Sequence, residues 1–310
     1  MNLVVAFYKF CRFHDLVSLQ KDLRILADEA DLKGTILLAP EGINAGISGE
    51  RSQVLQFLEH LRARPEIGPF EYKENYADFP THRRMLVKIK KEIVTMRKEN
   101  LSPSEDTGHF LSPKEFKEWQ DEGREMILVD TRNHYEVALG KFKGALDPQT
   151  KSFGSFPDWV EKNLGDKKDK VIVTYCTGGI RCEKATAYMK QEGFSQVYQI
   201  QGGILQYFVD ITEGSQAEHW EGDCVVFDRR KAVKPDLSPS EQVMCYVCLY
   251  AIHEGNKTEA DLAAGPICKS CLSYQQEKAA ERLQKVEARR AERKASSPHF
   301  TTDQSGRALI

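Results

Sequence analysis

The chain has 310 residues, 41% of them hydrophobic and 29% charged, and its formal net charge is only −2. That length accommodates two or three domains, and so small a net charge supplies no global field for nucleic acid, leaving only local patches. No apolar run approaches the ~20 residues of a membrane span, and the opening MNLVVAFYKFCRF lacks a cleavage signature, which excludes a secretory signal.

The first stretch alternates strand and helix patterns. Residues 3–10, LVVAFYKF, are β-branched and aromatic enough for a strand. Asp15 is placed to cap a helix in which Leu16, Leu19, Leu23 and Leu26 recur at helical spacing. GTILLA and INAGISG predict two strands joined through the turn Pro40-Glu41-Gly42. ERSQVLQFLEHLRA predicts a second amphipathic helix, and MLVKIKKEIVTM, residues 85–96, a closing strand. FEYKENY adds either an edge strand or a loop. The order β-α-β-β-α-β predicts a ferredoxin-like (acylphosphatase-like) α/β sandwich over residues 1–97.

Residues 98–108 have the Pro- and Ser-containing composition of a linker, and a second α/β unit follows over 109–220. Ser112 caps a helix with Pro113 in its first turn. MILVDTR, KVIVTY and QVYQI are buried-type strands separated by the helices SFPDWVEKNL and CEKATAYMKQEG. Such alternation calls for a parallel sheet covered on both faces. Residues 221–294 form a cysteine-rich segment that ends in a charged helix, and 295–310 have the composition of a disordered tail.

The stretch VIVTYCTGGIRCEKATAYM sets Cys176 at the carboxyl end of a central strand, where open α/β sheets bind ligands. Thr177, Gly178, Gly179 and Ile180 follow, with Arg181 at the mouth of the next helix. A helix N-terminus offers free amides and a positive dipole, both of which lower a thiol pKa. Glycines let those amides converge on one point, and Arg181 adds a charged donor fork. The pattern predicts a thiolate, or a thiolate carrying an extra sulfur; the alternative is an inert buried cysteine at a strand end. Cys182 is either a resolving thiol or a packing residue in the first turn of the helix.

The loop Cys-Thr-Gly-Gly-Ile-Arg resembles the active-site loop of the rhodanese superfamily, whose domains generally carry a persulfide on the loop cysteine. LVDTR, with Asp130 and Arg132, GALDP, and YQIQGGILQY resemble the other landmarks of that superfamily. With PEGINAGISG, RNHYEVALGKFKGA and CVVFDRR leading into two C-x-x-C pairs, nearly the whole chain resembles the bacterial tRNA uridine hydroxylases. That resemblance implies oxygen-dependent formation of 5-hydroxyuridine at the wobble position, with Cys176 as the catalytic residue. Asp130 and Arg132 are expected to support the loop through a salt bridge.

Two routes suit such chemistry: thiolate addition to C6 of uracil, which makes C5 electron-rich, or oxygen delivery by an oxidised sulfur or a persulfide. The sequence does not choose between them. The rival reading is a sulfurtransferase that passes sulfane sulfur through a Cys176 persulfide, and a third is an RNA-binding scaffold with a vestigial loop. Molecular oxygen is the expected co-substrate; no pattern for a flavin, haem or other organic cofactor is evident.

Cys245 and Cys248 form one C-x-x-C pair and Cys268 and Cys271 the other, a spacing that predicts a structural zinc site in a reducing, cytoplasmic setting. Cys224 is expected in the core. Seven Lys/Arg against Glu92 alone between positions 83 and 98, and eight against four acids between 269 and 294, are candidate contacts for a tRNA anticodon loop. Tyr72, Tyr76 and Phe79 are candidate stacking residues beside the first run. The alternative for both runs is a solvated charged face. His14, His82, His109 and His134 show no ligand spacing.

Overall fold

The computed structural model describes residues 1–79, 81–98, 100–212, 216–258, 261–262 and 265–295, with side chains described except at 261, 262, 283, 286 and 288–295. The chain forms two compact units, Met1–Gln242 and one that begins at Val243.

In β1 (Asn2–Phe10), Leu3, Val5 and Phe7 alternate into the first core. Helix α1 (Leu16–Glu29) starts where the Asp15 carboxylate accepts the Ser18 amide at 3.0 Å, and it buries Leu19, Leu23 and Ala27. The hairpin β2 (Lys33–Ala39) and β3 (Gly42–Gly49) leads to α2 (Arg51–Arg62), which buries Val54, Phe57, Leu58 and Leu61. Strands β4 (Tyr72–Ala77) and β5 (Met85–Ile89) complete a sheet of order β4-β1-β3-β2-β5.

This arrangement reassigns the closing strand. β4 pairs antiparallel with β1 and is the fourth strand of the β-α-β-β-α-β motif. The stretch expected to close the sheet supplies instead a fifth strand, β5, parallel to β2 at the opposite edge. It ends at Ile89 because the apolar residues after it face elsewhere: Ile93 packs with Phe10 and Ala39, and Met96 enters a core of the next sheet.

That sheet is built from β6 (His109–Leu111), β7 (Ile127–Asp130), β9 (Val171–Tyr175) and β10 (Gln196–Ile200), all parallel in the order β6-β10-β9-β7. The chain between them supplies α3 (Pro113–Asp121), α4 (His134–Val137), β8 (Gly140–Phe142), α5 (Phe156–Leu164) and α6 (Ile180–Gln191). After β10 come α7 (Gly203–Ile211) and the short strands β11 (Trp220–Gly222), β12 (Cys224–Val225) and β13 (Ala232–Val233). Ser112 and Glu115 close a capping box on α3.

Central strand β9 divides its side chains between two cores. Ile172 packs with Phe156, Val160 and Ala185, on the face that α5 and α6 cover. Val173 and Tyr175 pack with Phe116, Tyr207 and Phe208, on the face of α3 and α7.

A boundary at 220/221 would cut through β11, which pairs with β8. Cys224, Val226 and Val233 also belong to the core on the α3/α7 face, so residues 221–242 stay with the first compact unit. Cys224 is buried, as expected. Part of the expected linker is packed too: Leu101 lies against the α5/α6 core, and Thr107 Oγ1 donates to the Glu183 carbonyl at 2.9 Å.

The second unit contains β14 (Asp261–Leu262), β15 (Gly265–Pro266) and the charged helix α8 (Lys269–Ala295). Apart from Ala295, the expected tail lies outside the described residues. Among those residues no helix is long and apolar enough to cross a membrane.

Candidate active site

Strand β9 delivers Cys176 directly to the loop that starts α6. The backbone N–H of Gly179 donates to its Sγ at 3.0 Å. Gly179 caps α6 with φ +103°, a conformation that few L side chains adopt, and an added Cβ would lie 2.7 Å from the Tyr8 hydroxyl. The carbonyls of Cys176 and Thr177 accept the amides of Ile204 and Leu205 at 2.9 and 3.1 Å, so the N-terminus of α7 grips the loop from behind. Gly203 permits that grip: a Cβ there would fall 2.3 Å from the Cys176 carbonyl oxygen.

Burial alone pushes the Cys176 thiol up. A hydrogen bond with Cys182, the charge of Arg181, and the amides of Arg181 and Gly179 outweigh burial and hold Cys176 well below the ordinary thiol range. Cys182 moves the opposite way: burial and the adjacent Cys176 sulfur push its thiol up, and its Sγ lies 3.6 Å from Thr131 Oγ1. The surroundings thus favour the ionised form at Cys176 and the neutral thiol at Cys182.

Arg181 is already engaged. Its two terminal nitrogens donate to the Glu136 carboxylate at 2.7 and 2.8 Å, with both side chains buried. The fork expected to face an incoming anion is thus occupied, and Arg181 acts on Cys176 through its charge and its backbone amide. Asp130 and Arg132 do form a salt bridge, at 2.6 Å and fully buried. It does not touch the cysteine loop: Arg132 also donates to the carbonyls of Gly140 and Glu136, tying the end of β7 to α4 and β8. The link to the loop runs through Glu136.

The first sheet reaches the same place. Tyr8 on β1 donates to Glu183 Oε1 at 2.6 Å, and Ile180 packs against Phe10, Ala39 and Ile93. Burial pushes the Glu183 carboxyl above its usual range, against the lowering effect of the Tyr8 hydrogen bond. Cys176 itself is 1% exposed, so the loop is closed over its sulfur.

Two family models match the chain: a UPF0176 acylphosphatase like domain over residues 2–93 and a Rhodanese-like domain over residues 112–209. Over 269 residues the chain is 43% identical to the tRNA uridine(34) hydroxylase of Rhizobium etli, an alignment covering 87% of this chain and 86% of that protein. The chain belongs to the tRNA uridine(34) hydroxylase family. Relatives bearing the same name in Picosynechococcus sp. and Agrobacterium fabrum are each 42% identical, over 87% and 89% of this chain and 89% and 87% of theirs.

For this family member the contacts of α6 with the first sheet extend beyond Tyr8. Lys184, 1% exposed, donates to both Glu41 oxygens at 2.9 and 2.7 Å, to Glu92 at 2.6 Å, and to the Val94 carbonyl at 3.1 Å. Glu41 is the tip of the Pro-Glu-Gly turn. Its position in a turn is legible from sequence, but its partner, 143 positions away, is not.

In the second unit, the sulfurs of Cys245, Cys248, Cys268 and Cys271 all lie within 4.8 Å of one another. Cys248 and Cys268 are 3.9 Å apart, close to the ~3.8 Å edge of a tetrahedron with 2.3 Å metal–sulfur bonds. The amides of Val247 and Cys268 each point at Cys245 Sγ, at 3.4 Å. Four soft donors with amide support fit a metal ion. The basic residues of the first run, Arg83, Arg84, Lys88, Lys90, Lys91, Arg97 and Lys98, are all exposed. Of the three aromatics, Tyr72 is partly buried, whereas Tyr76 and Phe79 are 41% and 38% exposed.

Proposed function

We propose that this chain hydroxylates the wobble uridine of tRNA, position 34, to 5-hydroxyuridine, with Cys176 as the catalytic residue and molecular oxygen as co-substrate. The observation that carries the reading is a loop cysteine at the start of α6 whose sulfur accepts the Gly179 amide, in a chain whose relatives are named for hydroxylating that uridine. A thiolate adds to C6 of uracil and makes C5 nucleophilic; C5 gives two electrons to dioxygen and keeps one oxygen atom, while the other leaves as water with two electrons and two protons from an external two-electron reductant such as a small thiol. Loss of the C5 proton and expulsion of the thiolate restore the ring double bond.

The chain's own residues serve the first and last of these steps. Cys182 donates to the attacking sulfur, Gly179 and Arg181 contribute amides, and Glu136 keeps Arg181 beside the cysteine. Asp130 and Arg132 hold α4, and with it Glu136, in place. Cys176 is buried, so uracil reaches Sγ only after the residues around the loop shift. The anticodon loop is the partner, with Arg83, Arg84, Lys88 and Lys90 available for its phosphates. A zinc ion bound by Cys245, Cys248, Cys268 and Cys271 braces the second unit, and the reduced thiols suit the cytoplasm.

Nucleoside mass spectrometry of tRNA from cells that depend on this gene for 5-hydroxyuridine tests the reading. Wild type restores the nucleoside, and Cys176→Ser leaves it absent. Undiminished 5-hydroxyuridine with Cys176→Ser would refute it. Robust thiosulfate–cyanide turnover with no tRNA product would favour the sulfurtransferase.

A further inference from the structure

Residue Phe227 stands out in the β12–β13 hairpin. Cys224, Val225 and Val226 before it and Ala232 and Val233 after it are buried, yet Phe227 is 69% exposed. A single exposed aromatic is ordinary on a protein surface, so exposure alone assigns nothing. Its position is what matters. The ring centroid lies 5.9 Å from the guanidinium carbon of Arg181, the last residue of the cysteine loop. One side of the ring is therefore set by the active site while most of its surface meets water.

The hairpin is fastened on both sides of that ring. Thr177 Oγ1, also in the loop, donates to the Val225 carbonyl at 3.4 Å. The Arg229 amide donates to the Thr81 carbonyl at 3.0 Å, joining the hairpin to the connection between β4 and β5, two residues from the half-exposed Phe79. Asp228 and Arg230 pair with each other, their side chains 7% and 6% exposed, and stiffen the turn between these anchors. A flat apolar surface is thus held at the edge of the cysteine loop by an anchor on each side of it. Arg181 cannot supply a phosphate contact there, because Glu136 occupies its fork.

We propose that Phe227 is a substrate-binding residue whose exposed face stacks on a nucleobase of the RNA next to the base that enters the cysteine loop. This inference rests on the tRNA reading above and names a contact that reading lacks. Every nucleobase offers a π-face, so a phenyl ring recognises one without sequence readout, and such stacking strengthens RNA binding by about 5- to 150-fold per base. The adjoining Arg229 and Lys231 are exposed.

The test uses the full chain and unmodified tRNA, with binding measured by filter retention and turnover by nucleoside mass spectrometry. Phe227→Ala should raise KM and Kd for tRNA by about 5-fold or more with kcat little changed. Phe227→Trp should restore wild-type binding, whereas Phe227→Leu, apolar but without a π-face, should not. Thermal melting that matches wild type confirms that each exposed-site variant is folded. Wild-type affinity in Phe227→Ala, or full restoration by Phe227→Leu, would overturn the stacking role while leaving the hydroxylase reading intact if 5-hydroxyuridine still forms. Failure of the wild-type chain to bind tRNA at all would overturn both.

Discussion

Cys176 and Cys182 are both buried, yet their thiols diverge because one sulfur receives the donors. Removing the Cys182 donor should therefore raise the Cys176 pKa. The pH midpoint of Cys176 alkylation should shift upward in Cys182→Ala and much less in Cys182→Ser, which keeps a hydroxyl donor; an unmoved midpoint in Cys182→Ala would remove Cys182 from the account. Glu136 raises a separate question of stability. Burial pushes its carboxyl up, but Arg181 outweighs burial and holds it below the ordinary carboxylate range. A depressed folded-state pKa contributes stability above the unfolded value of ~4.3 and loses it as pH falls through the folded value. Glu136→Gln strands a buried guanidinium and should cost about 3–5 kcal/mol at neutral pH by urea denaturation. The variant's deficit should shrink in acid, where wild type loses the same pair. The loop residues were legible because they are contiguous, whereas Glu136 sits 45 positions from Arg181, inside a motif that carried the family resemblance but named no partner.

Among elements, α6 is where the two sheets of the first unit meet. Lys184 on this helix is fully enclosed by Glu41, Glu92 and a carbonyl, while the two carboxylates remain about one-fifth exposed. Lys184→Met should cost about 3 kcal/mol, the low end for breaking a buried pair, because water still reaches both acids. Adding Glu41→Gln and Glu92→Gln should recover part of that loss, since a neutral set needs no counter-charge; a triple variant less stable than Lys184→Met would contradict this. The sequence could not supply the pairing, since amphipathic periodicity predicts that α6 forms and not what touches it. Strand β4 escaped a firm assignment for a related reason: Lys73, Glu74 and Asn75 are polar residues on a half-exposed edge. The opposite error befell residues 85–96, whose apolar positions suggested one strand although Ile93 and Met96 serve packing beyond the sheet. The paired cysteines, by contrast, announced their grouping through spacing alone, and the four sulfurs converge. Elemental analysis of the purified chain should find stoichiometric zinc, and Cys268→Ser should lose it; a metal-free, unchanged second unit would remove the zinc assignment.

For the whole molecule, the candidate site is assembled from parts that lie far apart in the chain. The second sheet provides Cys176, the first packs against the helix that follows it through Tyr8 and Phe10, and the β12–β13 hairpin adds Phe227 at the edge. The family likeness spans both sheets, which accounts for why fold order and overall chemistry were readable from motifs while the contacts between the parts were not. The first compact unit continues through residue 242, because β11 and the hairpin complete the core under the active loop. The most direct measurement supplies purified full-length chain with unmodified tRNA under isotopically heavy molecular oxygen and reads the nucleoside at position 34 by mass spectrometry. The account predicts 5-hydroxyuridine bearing the heavy isotope with wild type and none with Cys176→Ser; unlabelled product, or equal product from the serine variant, would contradict it.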